Sequence, residues 1–342
     1  MATSVSTSAA KAVLYRSGLI ALSRGRTQPR AGVRVLRYHS VSPLGAAYRA
    51  DAISVSPADF ARQMRFLARH YTVIGLDRVA DHIIDGTPLP PRAACITFDD
   101  GYKDNVVHAF PILADLRLPA TFFITAGPVV LGTSFWVAWV QHLVMTTAYL
   151  DRLAAAFDLT VQGGTEAQRR QKLADALTAL AARRSTEWRD AMIADAVTAA
   201  PDAPPLDRAP YMMTVEDLRT LHAGGMTIGA HTVTHPILSS QDDATALHEL
   251  TEARRLLEDA IGAGVHHLAY PNAPGVLVNF DDRTRRLARQ AGYRSGNTSR
   301  RGMVDATSDP LALTRQGVHN GLDEAAFAFR LEEHHFTSLL RR

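Results

Sequence analysis

The chain has 342 residues, 46% hydrophobic and 21% charged, enough apolar content for one large barrel-type domain or two smaller ones. A net charge of only +3, with no basic run interleaved with aromatics, argues against a nucleic-acid partner. The single cysteine, Cys95, excludes an intramolecular disulfide and any zinc site built from several cysteines.

Residues 1–30 contain Lys11, Arg16, Arg24, Arg26 and Arg30 and no acid. Arg16 interrupts the apolar stretch, so no signal-peptide core and no span of about 20 apolar residues forms. We read this segment as a basic helix, packed on the domain or resting on a membrane surface. Without an export signal the expected location is cytoplasmic or peripheral to the inner membrane. Residues 31–342 read as one domain.

Val33–Leu36 reads as the first strand, with His39 just beyond it as a buried structural histidine. Pro57–His70 is a helix whose Phe60, Met64, Phe66 and Leu67 share one face. Ala93–Phe98 is a strand, Asn105–Leu116 a helix and Ala120–Thr125 a strand. From about 135 to 210 the chain is rich in alanine, arginine and leucine and reads as a helical insertion. Pro201, Pro204, Pro205 and Pro210 end it. Met226–Ala230 is the next strand, Ala244–Ile261 a helix, and Leu311–Val318 a strand-like run. Strands alternating with helices imply a parallel sheet covered by helices, with active groups at the C-terminal strand ends as in a β/α barrel.

Two segments carry the chemistry. Ile96-Thr97-Phe98-Asp99-Asp100-Gly101 places adjacent carboxylates at the end of a strand, where they repel unless a cation or proton compensates them. Alone, this segment fits an Asx-type turn equally well. Gly229-Ala230-His231-Thr232-Val233-Thr234-His235-Pro236 follows another strand, and paired neutral imidazoles suit a divalent metal. Asp100, His231 and His235 form a two-histidine, one-carboxylate set that leaves positions open for water and substrate. Asp99, not needed as a ligand, is the natural base. Zinc is the default ion for this set, and iron, cobalt and nickel suit it too.

These two motifs, in this order and each after a strand, resemble the polysaccharide deacetylases, the NodB-homology carbohydrate esterases. Leu118-Pro119-Ala120-Thr121-Phe122-Phe123, Ala269-Tyr270-Pro271-Asn272 and Ala291-Gly292-Tyr293 resemble further family segments. The resemblance implies a distorted, incomplete (β/α) barrel and a hydrolase that removes N-acetyl groups from a polysaccharide, oligosaccharide or glycolipid. It assigns Asp99 as base and Asp100, His231 and His235 as metal ligands. It puts an oxyanion-binding backbone N–H at or near Asn272, in the motif that also holds Tyr270. Trp136 and Trp139, in the insertion, could then stack on sugar rings.

The chain departs from the family pattern at two places. The third motif lacks the arginine that usually pairs with the base, and Arg315 is the candidate to supply that charge from another strand. The usual late Leu-x-Leu-His is absent, which leaves His319 as the nearest general acid. These departures keep open a second reading, a carbohydrate-binding or assembly protein with the same fold and reduced or lost activity. Hydrolysis of another small amide, such as a formyl group, is a further alternative.

Overall fold

Strand β1 (Gly32–Tyr38) is buried almost throughout and pairs on both sides, so it lies inside the sheet. The structure, a computed structural model, describes residues 32–43, 53–204, 211–273 and 278–339. The basic segment at 1–30, Pro205 and Pro210 lie outside the described residues.

A short pair, β2 (Ser40–Val41) and β3 (Ser54–Val55), leads to helix α1 (Pro57–His70). Ser56 caps α1 by accepting from the Asp59 N–H at 3.1 Å, and Pro57 takes the first turn, where its missing N–H is not needed. The helix buries Phe60, Met64, Phe66 and Leu67, the face expected from their spacing. Next come β4 (Thr72–Val73), α2 (Leu76–Asp85) and β5 (Ala93–Phe98), whose six residues are all buried. Continuous burial is what a parallel strand covered on both faces requires.

A π-helical turn at Asn105–Ala109 runs into α3 (Phe110–Asp115), where an unbroken helix was predicted. Pro111 lacks the N–H that a regular ladder would use, which is consistent with the shifted register just before it. Strand β6 (Thr121–Ile124) follows. Four helices come next: α4 (Trp136–Thr146), α5 (Leu150–Ala155), α6 (Glu166–Ala182) and α7 (Thr186–Ala199). They bury a core of their own, centred on Leu143, Leu153, Leu173 and Leu177. Then come α8 (Val215–Ala223), β7 (Thr227–Ala230), α9 (Asp243–Ile261), β8 (His267–Ala269), α10 (Asp282–Gln290) and β9 (Ser295–Asn297). The chain ends with β10 (Val304–Asp305), β11 (Gln316–Gly317) and α11 (Glu324–Leu339).

The sheet runs β10-β1-β5-β6-β7-β8-β9, with β11 also on β1 and β4 on β5. All of these pairings are parallel except β1 with β10. A bridge from Asn297 to Leu313, and β11 on β1, draw the two ends toward each other. The result is an open, curled parallel sheet, the incomplete barrel expected from the sequence, with extra helices outside it. The run Leu311–Val318 is mostly irregular, and only Gln316–Gly317 forms a strand. Among the described residues no helix is long and apolar enough to cross a membrane.

Candidate active site

The C-terminal ends of β5 and β7 bring the two motifs together. Asp99 leaves β5 with its N–H donating to the Tyr38 carbonyl at 3.0 Å. Asp100 then turns at φ +79°, and this left-handed step sends neighbouring carboxylates to different partners. Beyond β7, the His231 N–H donates to the Ile124 carbonyl at 2.8 Å. Thr232 and His235 also sit at positive φ, 67° and 59°. Three of the six positive-φ non-glycine residues among those described therefore lie in these two loops. Such backbone costs energy and persists where its surroundings over-determine it. Gly229, on β7, is required by space, because a Cβ there would come within 2.5 Å of the Phe123 ring.

Asp100, His231 and His235 are all buried, and one ligand atom from each lies within 4.8 Å of the others. His231 Nε2 is 3.3 Å and His235 Nε2 3.5 Å from Asp100 Oδ1. His231 Nδ1 is 2.7 Å from the Ala269 carbonyl, which can only accept, so Nδ1 carries the proton and Nε2 offers a lone pair. Burial holds the His235 imidazole below its ordinary pKa, which favours the neutral form that binds metals. Burial alone would raise the Asp100 carboxyl, but its contacts with His231 and His235 hold it well below the usual range. Two imidazole nitrogens and a carboxylate converge on one small volume, and His235 Nδ1 is buried without a partner. This donor set fits a divalent cation, which would offset the crowding of lone pairs and negative charge.

Asp99 faces another way. Arg315 grips it with Nη1 on Oδ1 at 2.7 Å and Nη2 on Oδ2 at 2.8 Å. The same guanidinium donates to the Thr298 carbonyl and to Thr97 Oγ1, and it is only 1% exposed. Burial pushes the Asp99 carboxyl up, but Arg315, His231 and His39 together hold it down at about 2. His39 Nε2 stands 3.9 Å from Asp99 Oδ2, and burial brings its imidazole down to about 4.

The remaining sequence candidates separate in space. Trp136 is buried, not available for stacking on a sugar: its Nε1 donates to the Thr234 carbonyl at 3.1 Å and its ring lies 6.2 Å from that of His235. Tyr270 is buried against Phe280 and donates to the Leu311 carbonyl at 2.9 Å, so its side chain fastens the sheet. Asn272 is exposed in the loop that follows β8, whose Ala269 carbonyl holds His231. His319 bonds with the Asn320 carbonyl at 2.8 Å and lies 3.4 Å from Arg330, and His39, not His319, stands against Asp99.

Two residues that the sequence analysis passed over hold the histidine loop. Glu249, buried on α9, accepts from the N–H groups of Val233 and Thr234 at 2.7 and 2.9 Å and from Thr234 Oγ1 at 2.6 Å. Arg189, from α7, donates to the Thr234 carbonyl and hydroxyl at 3.0 Å. A signal existed for the first. Ala246, Glu249, Leu250 and Ala253 share the helix face that packs inward, where an acid needs a partner.

A curled parallel sheet with Asp, His and His converging at its C-terminal strand ends defines a metal-dependent hydrolase. The chain matches the polysaccharide deacetylase family over residues 86–137 and 192–296, and the gap between these stretches falls within the extra helices. It is 19% identical over 308 residues to Bacillus subtilis (strain 168) YxkH, a polysaccharide deacetylase by name, covering 90% of this chain and 78% of that one. It is 30% identical over 95 residues to the poly-beta-1,6-N-acetyl-D-glucosamine N-deacetylase of Escherichia coli (strain K12), which is 28% of this chain and 14% of that protein. The Streptococcus pyogenes deacetylase PplD, solved in complex with acetate, superposes with a TM-score of 0.60 at 16% identity, over 88% of this chain and 98% of that one.

Proposed function

We propose that the chain hydrolyses N-acetyl groups of amino sugars in a polysaccharide, oligosaccharide or glycolipid, releasing acetate and a free amine. The observation that carries this reading is the convergence of Asp100, His231 and His235 beside an arginine-held Asp99. The first three residues would hold the ion, with Zn2+ the first choice for two imidazoles and one carboxylate. A bound divalent ion supplies two things to amide hydrolysis, an acidified water and polarisation of the carbonyl oxygen.

The chain's own groups do the rest. Asp99 is ionised at working pH and accepts the proton of the attacking water, while Arg315 fixes its orientation. The nitrogen that leaves needs a proton in return. His39, neutral at working pH and 3.9 Å from Asp99, is better placed than His319 to pass on the proton that Asp99 takes from the water. The backbone N–H at Asn272 remains our candidate donor to the developing oxyanion. Poly-N-acetylglucosamine, named for the Escherichia coli relative, is the first substrate to test. Contact of residues 1–30 with a membrane surface stays a separate proposal.

The test is acetate release from N-acetylglucosamine oligomers by chelated protein to which Zn2+ is restored. We expect turnover only after metal return. A chain that rebinds the ion and the oligomer but releases no acetate would favour the carbohydrate-binding reading.

A further inference from the structure

A second feature adjoins the site and shares His39 with it. A cavity of about 150 Å³ is walled by Arg37, His39, Ser299, Arg301, His319 and Arg330. No carboxylate lines it among the described residues. Arg37 and His39 lie two apart around the end of β1, and the Tyr38 carbonyl between them holds the Asp99 N–H. His39 thus forms part of the cavity wall and also stands 3.9 Å from Asp99.

The electrostatics are one-sided. Arg37 Nε is buried with no hydrogen-bond partner. Burial and the nearby Arg315 bring this guanidinium down to about 10, so it keeps its charge at neutral pH. Asp99 and Asp100 favour its charge from a distance, but Asp99 gives both carboxylate oxygens to Arg315. The opposite strand makes room: a Cβ on Gly317, the register partner of Arg37, would lie 3.3 Å from Arg37 Nη2. Arg330 is anchored in the same wall, on the Gly317 carbonyl and beside His319, and Arg301 is exposed to solvent. A buried donor costs free energy unless it is hydrogen-bonded, and Arg37 Nε has no such partner on the protein side. The volume suits one carboxylate or tetrahedral oxyanion and falls short of the roughly 300–1,000 Å³ of a complete small-molecule site.

We infer that this cavity is a subsite for an oxyanion carried by the substrate, so that the preferred glycan bears a carboxylate or phosphate beside the acetamido sugar. The inference rests on the deacetylase reading and narrows it to an acidic substrate class. Guanidinium forks recognise both groups through paired charge-assisted hydrogen bonds.

The test compares three oligomers of equal length on the metal-loaded full chain: neutral N-acetylglucosamine, alternating N-acetylglucosamine and glucuronate, and N-acetylglucosamine bearing phosphate. We expect kcat/KM for at least one acidic oligomer to exceed the neutral one by about tenfold or more, the worth of one charged hydrogen bond. Whichever acidic arm is faster identifies the source of the anion. Arg301→Gln, a surface change, and Arg37→Gln should each shrink that ratio to about twofold or less. Equal or faster turnover of the neutral oligomer, or a preference that survives both substitutions, overturns the inference. If no oligomer releases acetate, the deacetylase reading fails, and calorimetric binding of the same three decides the subsite separately. Tighter binding of an acidic oligomer, weakened by Arg301→Gln, upholds it, and equal binding overturns it.

Discussion

Arg315 takes both carboxylate oxygens of Asp99 from a position 216 residues later in the chain, at 2.7 and 2.8 Å, with both side chains buried. This gives the proposed base its cationic partner, supplied from beside β11 in place of the third-motif arginine. The arrangement keeps Asp99 ionised and fixes its plane, since a two-pronged contact admits a single orientation.

Arg315→Gln therefore strands a buried carboxylate. We expect it to destabilise the fold by about 3–5 kcal/mol and to lower kcat/KM about a hundredfold or more. Thermal melts and acetate release measure the two effects. Adding Asp99→Asn to that variant should recover part of the lost stability and none of the activity. A double variant no more stable than Arg315→Gln would show that the pair is not the source of the loss.

Asp99→Asn alone separates base from ligand. Metal content, read by elemental analysis, should remain at the parent level while turnover falls about 10²- to 10⁴-fold. An equal loss of metal would move Asp99 into the ligand set.

Metal removal should lower the melting temperature, because an ion that binds only the folded chain stabilises it by mass action, about 2.7 kcal/mol at a hundred times Kd. His231→Ala and His235→Ala should melt at the same temperature with and without chelator. A chelator effect that persists in both variants would place the stabilising ion elsewhere.

Asp104 gives a pH signature away from the metal ligands. It accepts from Ser40 Oγ at 2.5 Å and from the Val41 N–H at 3.1 Å, and burial holds its carboxyl up at about 6. A raised carboxyl favours the folded state when protonated. Its contribution is full below an unfolded pKa of about 3.9, then declines as pH rises through 6, by roughly 3 kcal/mol in all. Asp104→Asn should thus gain on the parent chain, in melting temperature, as pH goes from 4 to 7. A difference independent of pH would place the Asp104 carboxyl at its ordinary value.

The local pattern carried much of this architecture. The helix at Pro57–His70 and the strand at Ala93–Phe98 read directly from apolar spacing. So did the two loops that carry Asp100, His231 and His235, because each motif is contiguous. Contacts across the sheet were harder. Arg315 could be named because a missing charge had to come from somewhere, and its strand-like surroundings put it within reach. The nearness of His39 to Asp99 was not legible, since nothing local says that β1 lies beside β5. Trp136 and Trp139 were candidates for stacking on sugar, yet an indole packs under a loop as readily as on a ring, and spacing does not distinguish the two. The π turn before α3 escaped because a one-residue shift in hydrogen bonding leaves the same side chains apolar.

The helices between β6 and β7 have a consequence for any attempt to shorten this enzyme. Trp136 and Arg189 come from two of them, and both fasten the carbonyl of Thr234, the residue just before His235. A minimal catalytic core engineered by deleting these helices would keep Asp100, His231 and His235 in its sequence and still lose the clamp beside one of them. Its ion affinity, more than its folding, is where the truncation would tell.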